Sequence, residues 1–594
     1  MYIVLGAAED SAQVATGALP AAWEAVTFTD SGFGTHRRIP TERLGAFITE
    51  VEARNHSKTI RWAWADARVL MPLLLDQGVS PFRAHDLRLV QRILVTAETR
   101  AQNNLSFTPT IDLLTEDDAP AGTLPPAQVA AGQDSLFEDS LFQPARPQRT
   151  FPTAVQLTEE LKTQLAAIEA SPQPKRLRLL AAAESTGGLI AGEMKFYGIP
   201  WNRAIHERIL TEALGPRPGL YEKPYEMVKL AGEIRQALGS PKVNVDSPAD
   251  LLKAMQSAGM RVESTRKWEL VSWADENPRL KSQRHAVVDL ILRYKKLSRL
   301  FSANGWNWLD EWVKDNRFYP AYEVGGVVTG RWGAHGGGAM QIPKDVRSAV
   351  QAEEGMILTV ADASQVEPRI LAAMSADPKL AIAGRDRDLY LGIAELGERT
   401  GSALTERAHA KIALLGAMYG ATTGESGRLM PHLKKMFPQA IGFTEQAARI
   451  GERGGQVTTY LGRTSPAPSA DWFERQRNRS TAEAERAAVS ASRAWGRFTR
   501  NFVVQGTAAE WALCWMSLIR QKLRTTVMFG KPMRSHLVYF LHDEIMIYGP
   551  EREAQTCTKI VRESAQQAAE LIFGPVPVQF PVTVVSTDNY AKAK

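Results

Sequence analysis

Cysteine is almost absent from this chain of 594 residues, which contains only Cys514 and Cys557. Two cysteines are too few for a disulfide framework or a zinc module, so the composition favours a reducing, cytoplasmic compartment. We also expect neither an apolar run of membrane length nor a basic-then-apolar leader, and therefore a soluble protein with no membrane partner. With 44% hydrophobic residues the chain can fill several cores, which predicts about three to five domains or subdomains.

A strong net charge is also missing, because the formal charge is only +6. The acidic side chains are unevenly placed, however. Residues 101–150 hold seven acidic and two basic side chains, so this segment carries −5 and the rest of the chain carries +11. An excess of this size is compatible with a partner that has a phosphate backbone, although many basic proteins bind no nucleic acid.

Carboxylates follow or interrupt strand-like runs at two places. The apolar run Met356–Val360 predicts a buried strand, with Asp362 at its end and a helix-forming segment directly after it. The sequence LHDEIMIYG at 541–549 predicts a tight hairpin with Asp543 and Glu544 at its tip. Without a Cys or His cluster nearby, such carboxylates suit hard ions such as Mg²⁺. The pattern indicates two-metal phosphoryl transfer, although hairpin tips commonly carry solvated charges as well.

Four motifs follow one another along the second half of the chain: DASQVEPR at 362–369, RAHAKIALLGAMYG at 407–420, QGTAAE at 505–510 and HDE at 542–544. Together they resemble the motifs of the family A DNA polymerases, the bacterial DNA polymerase I type. The resemblance extends from about residue 155 to the C-terminus, and it implies a right-hand fold of palm, fingers and thumb. It further implies a template-directed DNA polymerase of replication or repair, which extends primer-template DNA with dNTPs as a nucleoid-associated monomer.

The resemblance also divides the chain into regions. Strand-like runs and helical patterns alternate in residues 1–100, which predicts an α/β domain in the position of the family's RNase H-like exonuclease domain. We therefore expect an α/β multi-domain protein in which this domain precedes the right-hand polymerase. The predicted regions are an exonuclease-like domain (1–100), an acidic disordered linker (101–153), the start of the palm with the thumb (154–325), the first part of the palm (326–384), the fingers (385–496) and the second part of the palm (497–594).

The resemblance assigns the chemistry of the palm to a few residues. Asp362 and Asp543 would hold two Mg²⁺ ions, or Mn²⁺ in their place, and the backbone carbonyl of Ala363 would complete the coordination. Glu544 would stabilise this site without itself binding a metal ion. Lys411 would protonate the leaving pyrophosphate.

A stripe of residues spaced four apart runs along one predicted helix: Arg407, Lys411, Leu415 and Tyr419. Each step advances about 40° beyond a full turn, so the stripe slants along one face. Cations at one end suit a triphosphate, and the apolar and aromatic end suits sugar and base. By resemblance, Glu367 excludes a 2′-hydroxyl, whereas Leu415 and Tyr390 depart from the aromatic residue and the histidine of the family. The predicted nucleotide-binding residues are Arg407, Lys411, Leu415, Tyr419, Gln365, Glu367 and Tyr390.

A second four-residue spacing precedes the small residues 506–509, which permit close backbone approach. Minor-groove acceptors are nearly the same for every base pair, so polar side chains there can test pair geometry without reading sequence. The alternative for this helix is a buried polar network. By resemblance, Arg331 and His542 also contact the DNA near the primer terminus. The predicted DNA-binding residues are Arg331, Arg497, Asn501, Gln505 and His542.

Asp66 is the residue of the N-terminal domain that matches an exonuclease motif of the family. The first exonuclease motif requires Asp-x-Glu on an early strand, which residues 28–40 lack. Because two metals need at least three converging carboxylates, the sequence predicts an exonuclease relic. Two alternatives remain: a polymerase with active proofreading, and a catalytically idle, clamp-bound DNA-binding scaffold, against which the intact Asp362 and Asp543 argue.

The acidic linker contains the segment GQDSLFEDSLFQP at 132–144. Its residues Gln133, Leu136 and Phe137 resemble the pentapeptide that bacterial polymerases insert into the sliding clamp. Leu-Phe pairs are unusual in an acidic disordered segment unless they anchor to a partner. The segment predicts binding to a bacterial sliding clamp, and the alternative is a low-complexity repeat, since DSLF recurs at 139–142.

Overall fold

The computed structural model describes most of the chain and divides into two compact units. One unit comprises Met1–Tyr197, Ala321–His335 and Thr359–Ser586, and the other comprises Gly198–Pro320, Gly336–Leu358 and Thr587–Lys594. The described residues are 1–15, 17–29, 32–55, 60–100, 103, 105–114, 148–334, 337, 342–421 and 424–593.

The N-terminal region of the first unit is an α/β sheet with flanking helices. Its elements are β1 (Tyr2–Ala7), β2 (Gln13–Ala15), β3 (Ala22–Thr29), β4 (Gly32–Pro40), α1 (Leu44–Arg54), β5 (Arg61–Trp64), α2 (Ala67–Asp76), β6 (Ala84–Asp86) and α3 (Leu87–Glu98). The strands lie in the order β4-β3-β1-β5-β6, with β1 antiparallel to β3 and parallel to β5. Leu5, Trp62 and Leu70 share a buried core, as the alternating strand and helix patterns predict.

Both ends of the predicted disordered linker are ordered, which corrects that prediction. Leu105 and Phe107 are buried, and the amide of Thr110 donates to Glu160 over 2.8 Å. At the other end, β7 (Gln148–Thr150) pairs antiparallel with β2. Buried apolar side chains and pairing with the edge of β2 hold these residues in place, and composition alone shows neither contact. Residues 115–147, with the predicted clamp motif at Gln133, Leu136 and Phe137, lie outside the described residues.

Two long helices, α4 (Ala154–Ala170) and α5 (Pro174–Tyr197), complete the first part of this unit. The second unit, in the region predicted as the thumb, is mainly helical. Its rings Trp201, Trp308 and Phe318 pack with centroids 5.1–5.7 Å apart. Its elements are β8 (Ile199–Pro200), α6 (Arg203–Leu214), α7 (Tyr225–Ala237), α8 (Pro248–Ser257), α9 (Lys267–Asp275), α10 (Lys281–Asn304), α11 (Trp306–Trp312), β9 (Val313–Lys314) and β10 (Arg317–Phe318).

The strands of the predicted palm are β11 (Tyr322–Glu323), β12 (Gly333–Ala334), β13 (Met356–Ala363), β14 (Val527–Met528), β15 (Lys531–Pro532), β16 (His536–Leu541), β17 (Glu544–Pro550) and β18 (Val582–Thr587). Four of them form a sheet in the order β16-β17-β13-β18. Strands β16 and β17 form the predicted hairpin, with Leu541 opposite Glu544. The sheet therefore places the end of β13 beside the hairpin.

The predicted fingers and the rest of the palm are helical: α12 (Val366–Ser375), α13 (Pro378–Ala383), α14 (Leu389–Arg399), α15 (Arg407–Tyr419), α16 (Gly424–Met436), α17 (Pro438–Glu452), α18 (Ala470–Arg477), α19 (Ala482–Thr525) and α20 (Ala554–Phe573). Helix α19 continues without a break across the predicted boundary at residue 496. By length and composition α19 could cross a membrane, which corrects the expectation of no such run. Its apolar window is 83% buried inside the protein, where α19 packs against α5, α17 and α20.

Candidate active site

The two palm aspartates lie on neighbouring segments of the sheet. Asp362 is the next-to-last residue of β13, and Asp543 is exposed in the two-residue turn of the hairpin. The amide of Ala363 donates to the backbone carbonyl of Asp543 over 2.9 Å. The structure thus brings both predicted metal ligands to one edge of the palm. Glu544, expected at the hairpin tip, is instead the buried first residue of β17, because the turn consists of His542 and Asp543.

The chemistry of these donors fits a hard divalent cation. Asp362, Ala363 and Asp543 offer carboxylate and carbonyl oxygens, which Mg²⁺ prefers to nitrogen or sulfur. Among the described residues, the structure contains no group of three or more His, Cys, Asp or Glu side chains suited to a metal. A palm site with two carboxylates is still sufficient in principle, since Mg²⁺ commonly takes one or two carboxylates and completes its shell with water and substrate phosphates.

A cavity of about 350 Å³ opens beside this edge. It is bounded by the strand ends of the palm and by helices α12, α14, α15 and α19. The sequence-predicted residues that line it are Arg331, Gln365, Glu367, Tyr390, Leu415, Tyr419, His542 and Asp543. Residues from six separate segments of the chain therefore meet around one space.

Glu367, in the first turn of α12, is held by two partners. The guanidinium of Arg331 donates to one carboxylate oxygen, and the hydroxyl of Tyr419 donates to the other over 2.6 Å. Burial raises the pKa of Tyr419, and the neighbouring charge of Glu367 raises it further, so this tyrosine remains a protonated donor. Both oxygens of Glu367 are thus engaged and the orientation of its side chain is fixed.

Helix α15 carries the predicted stripe on one face. Arg407, Lys411 and Tyr419 are exposed and Leu415 is half-buried, while Ala410, Ala413, Leu414 and Ala417 on the opposite side are buried. The four-residue spacing predicts this arrangement, because residues four apart lie above one another on a helix. The cationic end of the helix faces solvent, as a triphosphate site requires.

Arg407 is paired with Asp388, a residue that the sequence analysis did not identify. Its guanidinium donates to the Asp388 carboxylate over 2.8 Å and lies 5.6 Å from the ring centre of Tyr390. Asp388 also caps the N-terminus of α14 and accepts a hydrogen bond from Gln365 over 2.6 Å. Burial raises the pKa of Tyr390 to about 12, so its phenol stays neutral. A capping aspartate directly before α14 is the local signal that marks Asp388.

The three predicted DNA-binding residues of α19 differ in their surroundings. Gln505 lies beside the hydroxyl of Tyr419. Arg497 packs against Gly420, where an added Cβ would lie 2.7 Å from its Cγ atom. The side-chain oxygen of Asn501 is buried and has no hydrogen-bond partner in the described part of the chain. Gln505 therefore joins the cavity wall through Tyr419, whereas Arg497 and Asn501 lie further along the same helix.

Two aromatic residues of the cavity wall were also missed. Trp332 and Phe540 line the cavity and pack edge to face, with ring centres 5.1 Å apart. They come from segments about two hundred residues apart in the sequence. Their side chains read as ordinary core residues in the sequence, so no local signal separates them from the rest of the core.

Arginines and backbone amides occupy the carboxylates Asp66 and Asp86 of the N-terminal region. Asp66 contacts the guanidinium of Arg68 at 2.9 Å and that of Arg88 at 3.4 Å, and both arginines also reach Glu323 of β11. Asp86 is fully buried and accepts the amide of Ala67 over 2.6 Å. Burial raises the pKa of Asp86 to about 7. Asp66 thus belongs to an ion network with Arg68, Arg88 and Glu323, and Asp86 is bound by backbone amides, so the two do not form an open set of acidic ligands.

Comparisons with known proteins agree with this fold. The sequence profile of DNA polymerase family A matches residues 222–592, which is more than half of the chain. The chain therefore belongs to DNA polymerase family A. It is 28% identical over 406 residues to the thermostable DNA polymerase I of Thermus filiformis, a match that covers 63% of this chain and 44% of the relative.

A second relative and a solved structure extend the comparison. DNA polymerase I of Bacillus subtilis (strain 168) is 26% identical over 432 residues, with 68% of this chain and 45% of that protein covered. This chain thus spans less than half the length of either relative. The POL domain of Pol1 from M. smegmatis, solved in complex with DNA primer-template and dNTP, matches with a TM-score of 0.64 and 19% identity. That match covers 97% of this chain and 93% of the solved one, and it supports the fold.

Proposed function

We propose that this protein is a template-directed DNA polymerase that adds deoxynucleotides from dNTPs to the 3′-hydroxyl of a primer. The observation that carries the proposal is the cavity at the palm edge, where Glu367, Tyr419 and Arg331 meet the hairpin that bears Asp543. Membership of DNA polymerase family A supports the same activity. The predicted palm, fingers and thumb regions supply the frame in which this cavity would receive primer, template and nucleotide.

Different side chains of the protein have different roles in this reaction. Asp362 and Asp543, with the carbonyl of Ala363, would hold two Mg²⁺ ions, which when bound neutralise charge on the attacking and leaving oxygens. Arg407 and Lys411 are exposed cations that bind the triphosphate, and Lys411 gives a proton to the pyrophosphate as it leaves. The primer hydroxyl loses its proton to solvent and attacks the α-phosphate, so that the new ester bond forms as the bond to pyrophosphate breaks.

Selection of the sugar falls to Glu367. Its carboxylate is fixed from both sides by Arg331 and Tyr419, so it presents a rigid wall where the C2′ carbon of the incoming sugar would lie. A rigid wall excludes a 2′-hydroxyl better than a mobile side chain, since no rotation opens the space. The relative insertion of ribonucleotides by the Glu367→Ala variant tests this assignment.

Primer extension tests the proposed activity directly. Asp362→Ala and Asp543→Ala should each lower the rate of nucleotide addition by several orders of magnitude and leave DNA affinity nearly unchanged, because the metal ligands act mainly on the transition state. Glu354→Ala, which removes an exposed carboxylate just before β13, is the matched control and should extend normally. Extension by either aspartate variant within about tenfold of the native rate would contradict the proposed site, and an inactive native protein would favour the idle scaffold.

We also propose that proofreading is absent. The support is the pairing of Asp66 with Arg68 and Arg88, because a carboxylate held by two guanidiniums is poorly placed to bind metal ions. A labelled single strand incubated with Mg²⁺ or Mn²⁺ and no dNTPs should stay intact. Degradation that survives Asp543→Ala but not Asp66→Ala would show that the bifunctional alternative is correct.

The remaining proposals concern partners and location. A nucleoid-associated monomer in the cytoplasm suits a DNA polymerase, and clamp binding through Gln133, Leu136 and Phe137 stays a hypothesis drawn from the sequence. A peptide covering 130–144 should bind purified bacterial clamp, and its Leu136→Ala/Phe137→Ala form should not. Equal binding of the two peptides would leave the segment an acidic linker.

A further inference from the structure

A second cavity, of about 220 Å³, lies in the first unit away from the palm edge. Arg61 at the start of β5 and Arg83 just before β6 contribute to one wall, and residues of α5 and α19 form the others. At the opposite ends of the same two strands, Asp66 follows β5 and Asp86 is the last residue of β6. The cavity is therefore separate from both the polymerase site and the position of an exonuclease site.

Arg61 brings a positive charge into this cavity. Its guanidinium is largely buried and donates to the carbonyl of Ala84 over 2.9 Å. Among the described residues, none of the carboxylates pairs with it, and its charged neighbour is a second guanidinium, that of Arg83. Burial lowers the pKa of Arg61, the phenol of Tyr2 opposes that shift, and the charge of Arg83 adds to it. An enclosed guanidinium without a carboxylate partner is costly unless an anion joins it.

Arg520, on the α19 side of the cavity, shows the ordinary arrangement. Its guanidinium is buried, but it contacts the carboxylate of Glu193 at 2.8 Å and donates to the backbone carbonyls of Phe82 and Pro81. The protein thus neutralises one buried arginine internally. Arg61, in contrast, has no carboxylate partner among the described residues.

Ser517 supplies a second, independent sign of a ligand. It lines the cavity from α19, and its hydroxyl oxygen is buried without a hydrogen-bond partner in the parts of the chain that the structure describes. Buried hydroxyl groups are normally satisfied by protein, water or ligand. The rest of the lining is partly apolar, with Leu179 and Leu518 at its sides, so the cavity offers both polar and apolar contacts.

We propose that this cavity binds a small phosphate compound, with Arg61 and Arg83 on the phosphate oxygens and Ser517 as an additional hydrogen-bond donor. Planar guanidinium groups match phosphate oxygens in pairs. The volume is below the roughly 300–1,000 Å³ of sites for drug-sized ligands, so the ligand is orthophosphate, pyrophosphate or a mononucleotide rather than an oligonucleotide. Because the cavity lies apart from the palm cavity, binding there needs no divalent metal.

Calorimetric titration of the full-length protein tests the proposal. Orthophosphate, pyrophosphate and dAMP are titrated separately, with a chelator present to remove divalent ions from the palm. The protein also carries Arg407→Met and Lys411→Met, so that the cations of the nucleotide site do not contribute. At least one of the three compounds should bind, and Arg61→Met should weaken that binding by about tenfold or more, as expected for the loss of a charge-assisted hydrogen bond.

Further variants keep the result decisive. Ser517→Val places a methyl group where the hydroxyl lies and should also weaken binding, which settles the matter if Arg61→Met does not fold. Arg37→Met, at an exposed arginine of β4, is the matched control and should bind as the parent does. Absence of binding by all three compounds, or equal binding by parent and Ser517→Val, would overturn the proposal. Primer extension is measured on the unaltered protein, so failure of this proposal is distinct from failure of the polymerase assignment.

Discussion

Asp388 pairs with Arg407, the cation that we propose binds the triphosphate. The carboxylate accepts two hydrogen bonds from this guanidinium, at 2.8 and 3.2 Å. The guanidinium and the nearby carboxamide of Gln365 hold the pKa of Asp388 below its usual range despite partial burial. An incoming triphosphate must therefore compete with a charged carboxylate for Arg407.

Removal of that charge should tighten nucleotide binding. We expect Asp388→Asn to lower the KM for dNTP by about three- to tenfold, the size of one partly exposed ion pair. Asparagine caps helices as well as aspartate does, so α14 should remain intact. Single-nucleotide insertion kinetics measure the change. Glu395→Gln, at a second exposed ion pair of α14, should leave KM unaltered, and an unchanged or higher KM in Asp388→Asn would show that the carboxylate positions Arg407 productively.

Glu510, in the QGTAAE motif, makes folding sensitive to pH. Burial raises its pKa to about 7, with opposing contributions from the hydroxyl of Thr459 and the charge of Arg463. A raised pKa in the folded state means that the protonated form is favoured. The stabilisation is complete below about pH 4.5, the usual value, and is lost as the pH rises through about 7.

The corresponding prediction concerns Glu510→Gln. Glutamine cannot ionise, so the melting temperature of this variant should fall less than that of the native protein between about pH 5.5 and 8.5. Over this pH range, the free energy of unfolding of the native protein should fall by on the order of 2–3 kcal/mol at most relative to that of the variant. Differential scanning calorimetry across this range measures it. Glu474→Gln, at an exposed position of α18, should follow the native curve, and parallel curves for all three proteins would refute the raised pKa.

At the scale of elements, helix α19 owes its position to a glycine. A Cβ added at Gly506 would lie 2.4 Å from a methyl carbon of Thr459 and 3.0 Å from the carbonyl oxygen of Thr329. The backbone of α19 therefore contacts the side chain of Thr459 at this point. The motif's small residues serve this close approach, as the sequence predicts.

Gly506→Ala should destabilise the protein even though alanine favours helices by about 1 kcal/mol over glycine. The forced shift of Thr459 or α19 outweighs that gain, and primer extension should fall because Gln505 moves with the helix. Gly442→Ala in α17, where an added Cβ meets open space, is the control and should raise stability. A more stable, fully active Gly506→Ala protein would mean that the contact is easily relieved.

The elements of the site were predictable where the signal was local. The stripe on α15 and the hairpin at 536–550 follow from spacing and alternation within single segments. The burial of Glu544 was missed because one residue decides whether a side chain belongs to the turn or the strand. Trp332 was missed because its partner Phe540 is far away in the sequence, and Asp388 was missed although its position directly before α14 marks it as a helix cap. The order of residues 105–114 depends on Gln91 and Glu160, which composition does not show.

At the scale of the whole molecule, a buried ion network joins the N-terminal sheet to the palm. Glu323 contacts Arg68, Arg88 and Arg92. Arg92 also reaches Glu184, which in turn contacts Arg463 at 2.9 Å. Arg463 packs against Gly330, next to the cavity residue Arg331. The N-terminal region is therefore continuous with the polymerase site in packing and in charge.

Glu323→Gln should be strongly destabilising. Loss of one carboxylate leaves three guanidiniums short of a partner, and breaking a buried ion pair costs about 3–5 kcal/mol. Urea unfolding followed by tryptophan fluorescence measures the change in midpoint. Glu169→Gln, at the exposed ion pair with Arg178, should have little effect. A midpoint for Glu323→Gln close to that of the control would show that water replaces the lost contacts.

The packing of α5 has a practical consequence for expression. The match to the family profile begins at residue 222, yet Gly187 of α5 lies so close to α19 that an added Cβ would be 3.0 Å from Leu513. A fragment trimmed to the matched residues would leave the apolar side of α19 and the charge of Arg463 uncovered. Such a fragment should aggregate during purification, because it exposes apolar surface that α5 covers in the intact chain. The residues that match the family profile are therefore fewer than the residues that fold together.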